Sequence, residues 1–165
     1  MISPNNPELG FKLYLEIAVA TDLLAYSTQP TFQSASSEFS SISYDFMTQA
    51  LLVYEDEISE SKVQMQAITS MVGSLLSCRT FERTDYEALI TKTAQYAAKL
   101  LKKPDQCRMV CLCSRLFYVG GKDVSYVSVF AVFANSLICT KAILIIFHLH
   151  FFFRRQIHIV IPSVS

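Results

Sequence analysis

The feature that most constrains this chain is the spacing of apolar residues between Tyr44 and Leu76. They recur every three or four positions, stop at the acidic run Glu55–Glu60, and then resume. This spacing gathers side chains on one face of an α-helix. It predicts a helical hairpin, two amphipathic helices joined by a tight turn, with stripes formed by Phe46, Met47, Ala50, Leu51, Tyr54 and Ile58, and by Val63, Ala67, Ile68, Met71, Val72 and Leu75.

The first helix is predicted over residues 7–26, with Asn6 as its N-cap and Pro7 at its first position, where the missing N–H costs nothing. Ser, Thr and Gln dominate residues 27–38 and predict a loop. The second helix then begins between residues 37 and 40 and ends near Asp56, and the third covers residues 59–77. The stripe predicted for the first helix consists of Leu9, Leu13, Ile17, Ala20 and Leu24.

A fourth helix is predicted from the capping-box pair Thr84 and Glu87, and it ends at Lys102-Lys103-Pro104. The fifth begins at Pro104 and ends before Gly120-Gly121. Their stripes are formed by Tyr86, Leu89, Ile90, Ala94, Tyr96, Ala97, Leu100 and Leu101, and by Met109, Val110, Cys113, Leu116 and Phe117. About five helices with mostly short connections predict an all-α fold, an α-solenoid fragment of antiparallel hairpins over residues 1–123.

Residues 124–165 form an apolar tail of different character, with three basic residues, no acid and no glycine. We predict a buried element, a membrane segment or an aggregation-prone tail. In the window Val129–Phe147, Lys141 offsets most of the favourable insertion energy, so spanning is marginal.

Charge and cysteine content exclude several classes of function. Residues 1–60 carry nine acids against Lys12, and no stretch has the Lys/Arg clustering of a nucleic-acid surface. Five cysteines, one of them necessarily unpaired, and an N-terminus without the pattern of a secretory signal predict free thiols in a reducing, cytosolic setting.

Candidate sites are few. Glu55, Asp56, Glu57 and Glu60 form either a docking patch for a basic partner or a solvated turn whose acids favour the N-terminus of the next helix. Zinc would need four ligands, which neither Cys107, Cys111 and Cys113 nor the histidines His148, His150 and His158 supply. The motifs of phosphate-binding loops and nucleophile elbows are absent from the sequence. We therefore predict no enzymatic activity, cofactor or small-molecule substrate.

Four stretches carry a resemblance to a known family: PELGFKLYLEIA, YDFMTQALLVYEDEISESKVQMQAIT, AAKLLKKPDQCR and SRLFYVGGKD. Through them residues 7–123 resemble the large subunit of retromer, the vacuolar protein sorting-associated protein 35 family, and most closely its plant members. The resemblance implies a piece of the C-terminal half of a long α-solenoid. It further implies a non-enzymatic scaffold in endosome-to-Golgi cargo sorting, cytoplasmic and peripheral on endosomal, prevacuolar and Golgi membranes.

The resemblance also implies partners. The phosphoesterase-fold subunit of retromer is expected to bind, whereas the arrestin-fold subunit is not, because its PRLYL motif has no counterpart here. The sequence departs from the family at Val124, and we hypothesise that residues 124–165 are translated intron. Two other interpretations are a tail-anchored membrane protein with a small helical cytosolic domain, and a truncated product without function.

Overall fold

The computed structural model describes residues 6–28 and 33–118, and these form an all-α structure of five α-helices and a short 3₁₀ helix. The helices are α1 (Pro7–Thr28), α2 (Gln33–Glu57), α3 (Ser61–Ser77), α4 (Arg83–Lys99) and α5 (Lys103–Cys113), followed by the 3₁₀ helix Ser114–Tyr118. The predicted fold class, a fragment of an α-solenoid, is therefore confirmed.

The helices are arranged in two layers. Helix α1 packs along α2 as the closest pair, α3 packs on α1, α4 approaches α2, and α5 packs on both α3 and α4. Helices α1, α3 and α5 thus form one layer, and α2 and α4 form the other. The backbones of α2 and α3 have almost no close approach. The prediction of a hairpin over residues 44–76 is therefore wrong: its turn connects two successive hairpins, α1/α2 and α3/α4, as in an α-solenoid.

Several helix ends differ from the predictions. The Asn6 side chain does cap α1, because its Oδ1 accepts a hydrogen bond from the Leu9 N–H at 3.2 Å. Helix α2 begins at Gln33, earlier than predicted, so residues 33–38 are helix rather than loop. The capping box at Thr84 is wrong: α4 begins at Arg83, its N-cap is Glu82 without a side-chain bond, and the Glu87 carboxylate instead pairs with the Arg83 guanidinium at 3.0 Å.

The stripes predicted for the second to fifth helices form one continuous core. Phe46 and Val63 are half-buried at its edge, and Leu101 lies outside it. Leu101 was predicted to continue the stripe of α4, but it is 87% exposed because the helix ends at Lys99 and the chain turns there. The 3₁₀ helix contributes Leu116 and Phe117 to the core, and the buried Tyr86 hydroxyl donates a 2.9 Å hydrogen bond to the Leu116 carbonyl.

The stripe predicted for α1 is on the wrong face. Leu9, Leu13, Ile17 and Leu24 are 36–52% exposed, and Ala20 is exposed as well. The opposite face is buried and consists of Gly10, Phe11, Leu15, Ala18, Asp22 and Ala25.

Small side chains explain which face of α1 turns inward. At Ala18 and Ala25 the two backbones of the hairpin come close enough for serines of α2 to reach them. The Ser43 hydroxyl donates to the Ala18 carbonyl at 2.7 Å, and the Ser36 hydroxyl donates to the Ala25 carbonyl at 2.9 Å. The large leucines of the other face would hold α2 further away, so close packing outweighs the larger apolar area.

Candidate partner-docking surface

The four predicted site residues lie at the connection between the two hairpins. Glu55 is in the last turn of α2, Asp56 and Glu57 follow it, and Glu60 is the N-cap residue of α3. All four are exposed. Their proximity follows from the fold, because α2 ends and α3 begins at the same edge of the two layers.

Glu55 differs from the other three because it is bonded within the chain. Its Oε1 accepts a 2.6 Å hydrogen bond from the Tyr96 hydroxyl. The same oxygen forms an ion pair with the Lys92 ammonium, whose nitrogen lies 3.4 Å away. The hydrogen bond from Tyr96 is the largest influence that lowers the pKa of the Glu55 carboxylate, and the positive charges of Lys92 and Lys99 lower it further. Glu55 is thus a tie between α2 and α4.

Tyr96 is the buried half of this tie. Burial, together with the neighbouring Glu55 carboxylate, raises the pKa of the Tyr96 phenol, which keeps it protonated as a hydrogen-bond donor. Its ring packs on the Tyr54 ring with centroids 4.6 Å apart, and burial raises the pKa of Tyr54 to about 12. Both phenols act as structural groups that join α2 to α4.

Asp56, Glu57 and Glu60 present free carboxylates. Within residues 6–28 and 33–118, none of the three has a hydrogen bond or ion pair through its side chain. Such groups can receive Lys or Arg side chains of a partner without first breaking an internal contact. The structure therefore brings the four acids together at one edge but leaves three of them available.

A buried carboxylate, Asp22, was missed in the sequence. It lies on the inner face of α1, is 3% exposed, and accepts hydrogen bonds from the N–H groups of Arg79 and Thr80, each at 2.9 Å, and from the Thr80 hydroxyl at 2.6 Å. It thereby fastens the α3–α4 connection to α1. The available signal was its register with Phe11, Leu15 and Ala18, because an acid within a buried stripe must be paired.

The grooves on the described surface are open to solvent. One of about 270 Å³ lies between the end of α2 and the end of α4 and is lined by Tyr54, Ile58, Tyr96 and Lys99, among others. Another of about 410 Å³ runs between the serines at the start of α2 and the start of α4. The residues that line both grooves offer contact surface and hydrogen-bonding groups to a partner.

Among residues 6–28 and 33–118, the cysteines form no disulfide bonds. Cys78 and Cys113 are buried, and Cys107 and Cys111 are partly exposed on α5. Burial raises the pKa of the Cys113 thiol to about 12, which makes it unreactive. No group of three potential metal ligands occurs among residues 6–28 and 33–118. Cys139 and the three histidines lie outside the described residues.

None of the five described helices is both long and apolar enough to cross a bilayer. The window Val129–Phe147, whose sequence predicts marginal membrane insertion, lies outside the described residues, as does the whole tail 124–165.

Comparisons with known proteins all point to the same family. A family model described as vacuolar protein sorting-associated protein 35 matches residues 1–145. The chain is 41% identical to vacuolar protein sorting-associated protein 35A of Arabidopsis thaliana over 118 aligned residues. These residues make up 72% of this chain and 13% of that relative. It is 39% identical over 118 residues to vacuolar protein sorting-associated protein 35 of Schizosaccharomyces pombe, with 70% and 13% covered. The chain thus spans a small part of the length of these curated relatives.

Proposed function

We propose that this chain, which belongs to the vacuolar protein sorting-associated protein 35 family, is a non-enzymatic scaffold segment that acts in vacuolar protein sorting. Its place would be the retromer cargo-sorting complex, in transport from endosomes to the Golgi. We further propose a cytoplasmic location, peripheral on endosomal, prevacuolar and Golgi membranes.

The observation that carries this proposal is the stacking of hairpins. Helices α1 and α3 pack side by side in one layer while α2 approaches α4 in the other, so each hairpin uses the next as its neighbour. Stacks of this kind create extended binding surfaces rather than enclosed pockets. The open grooves and the structural use of Tyr96 and Glu55 support a surface for partners.

For the partner we propose the phosphoesterase-fold subunit of retromer. We also propose that it docks through Asp56, Glu57 and Glu60, with basic side chains facing these carboxylates. Glu55 contributes by fixing the end of α2 on α4 through Tyr96, which holds the neighbouring acids in place. The contact would weaken with salt, because exposed charges are screened beyond about 8 Å at physiological ionic strength.

The test is capture of the phosphoesterase-fold subunit by the full chain of 165 residues, measured by pull-down and calorimetry. Arabidopsis protein 35A serves as positive control. We expect Glu57→Lys/Glu60→Lys to weaken binding by about tenfold or more, since like charges are then juxtaposed. Glu38→Lys/Asp45→Lys, which reverses two exposed acids elsewhere on α2, is the matched control and should bind normally.

Two negative results have different meanings. If protein 35A binds and this chain does not, the scaffold function is wrong for this chain. If the chain binds and Glu57→Lys/Glu60→Lys binds equally well, the scaffold function stands and the acidic docking patch is refuted.

A further inference from the structure

We draw no further inference here: the strongest candidate, the surface patch of Lys99, Lys102, Lys103 and the exposed Leu101 at the α4–α5 connection, borders the candidate docking surface already described, and nothing in the structure shows what covers it.

Discussion

The buried carboxylate of Asp22 offers the sharpest test of how the two hairpins are joined. It belongs to α1, yet its three hydrogen-bond donors all come from Arg79 and Thr80 in the α3–α4 connection. Replacing it with alanine removes all three bonds and leaves the fold of each helix otherwise unchanged. We expect Asp22→Ala to loosen the α3–α4 connection from α1.

The size of the effect follows from the geometry. Hydrogen bonds to a charged group contribute about 1.5–3 kcal/mol each. Two effects make the net loss smaller than the sum of the three hydrogen bonds. Arg79 is exposed and Thr80 half-buried, so water can replace part of the lost hydrogen bonding. Removal of the carboxylate also removes the free-energy cost of burying its charge. We therefore expect Asp22→Ala to lower the free energy of unfolding by about 3 kcal/mol. Thr80→Val, which removes only the hydroxyl bond, should cost about 1 kcal/mol.

Urea unfolding followed by circular dichroism gives these free energies, and a double-mutant cycle of Asp22→Ala with Thr80→Val isolates the coupling between the two side chains. Hydrogen exchange adds a local measurement, because the amides of Arg79 and Thr80 should lose protection in Asp22→Ala. Asp45→Ala removes an exposed acid and is the control. A loss below about 1 kcal/mol, or unchanged exchange at both amides, would refute the structural role given to Asp22.

Three further predictions concern the packing of the helices. Leu15→Ala should lower the free energy of unfolding by about 2–4 kcal/mol, because Leu15 is buried. Leu13→Ala should lower it by less than about 0.5 kcal/mol, because Leu13 is exposed. If urea unfolding gave similar losses for the two variants, the orientation of α1 would be contradicted. Gly73→Ala should stabilise the chain by roughly 0.5–1 kcal/mol, since a Cβ at this helical position meets open space, and a lower urea midpoint would contradict this. Tyr96→Phe should raise the pKa of Glu55 towards its ordinary value of 4.5, as an NMR titration would show. Because the folded-state pKa of Glu55 is lowered, the stability that Tyr96 contributes through this bond is present above pH 4.5 and is lost as the pH falls through the folded-state pKa. If the difference in unfolding free energy between Tyr96→Phe and the parent chain did not change with pH, the tie would be contradicted.

The tie between Glu55 and Tyr96 and the clamp at Asp22 together have a consequence for the proposed scaffold. They lie at opposite edges of the two layers: one joins the ends of α2 and α4, and the other joins α1 to the connection between α3 and α4. Successive hairpins are thus fastened at both edges. A surface held in this way can present Asp56 and Glu57 to a partner with little loss of conformational freedom on binding.

Local signals in the sequence account for much of what the structure shows. The spacing of apolar residues identified the helices and most of the core, and Asn6 before Pro7 identified the start of α1. Capping and loop composition were less reliable guides. Residues 33–38 have the composition of a loop but are helical, because the Ser36 hydroxyl finds the carbonyl of Ala25 on the neighbouring helix. A helix whose ends pack on a partner does not need the caps that an isolated helix requires.

By itself, the sequence determined the all-α class of the described residues, their five α-helices and the inward faces of α2 to α5, because one apolar stripe dominates each of these four helices. Tertiary structure alone decided which face of α1 is buried, since that helix is apolar on two sides and close approach to α2 favoured the one with Ala18 and Ala25. It also decided that Asp22 would be buried and Glu55 bonded, because the partners of both are dozens of residues away along the chain. Helical periodicity records which residues share a face, whereas the choice between two apolar faces depends on the helix that packs against them.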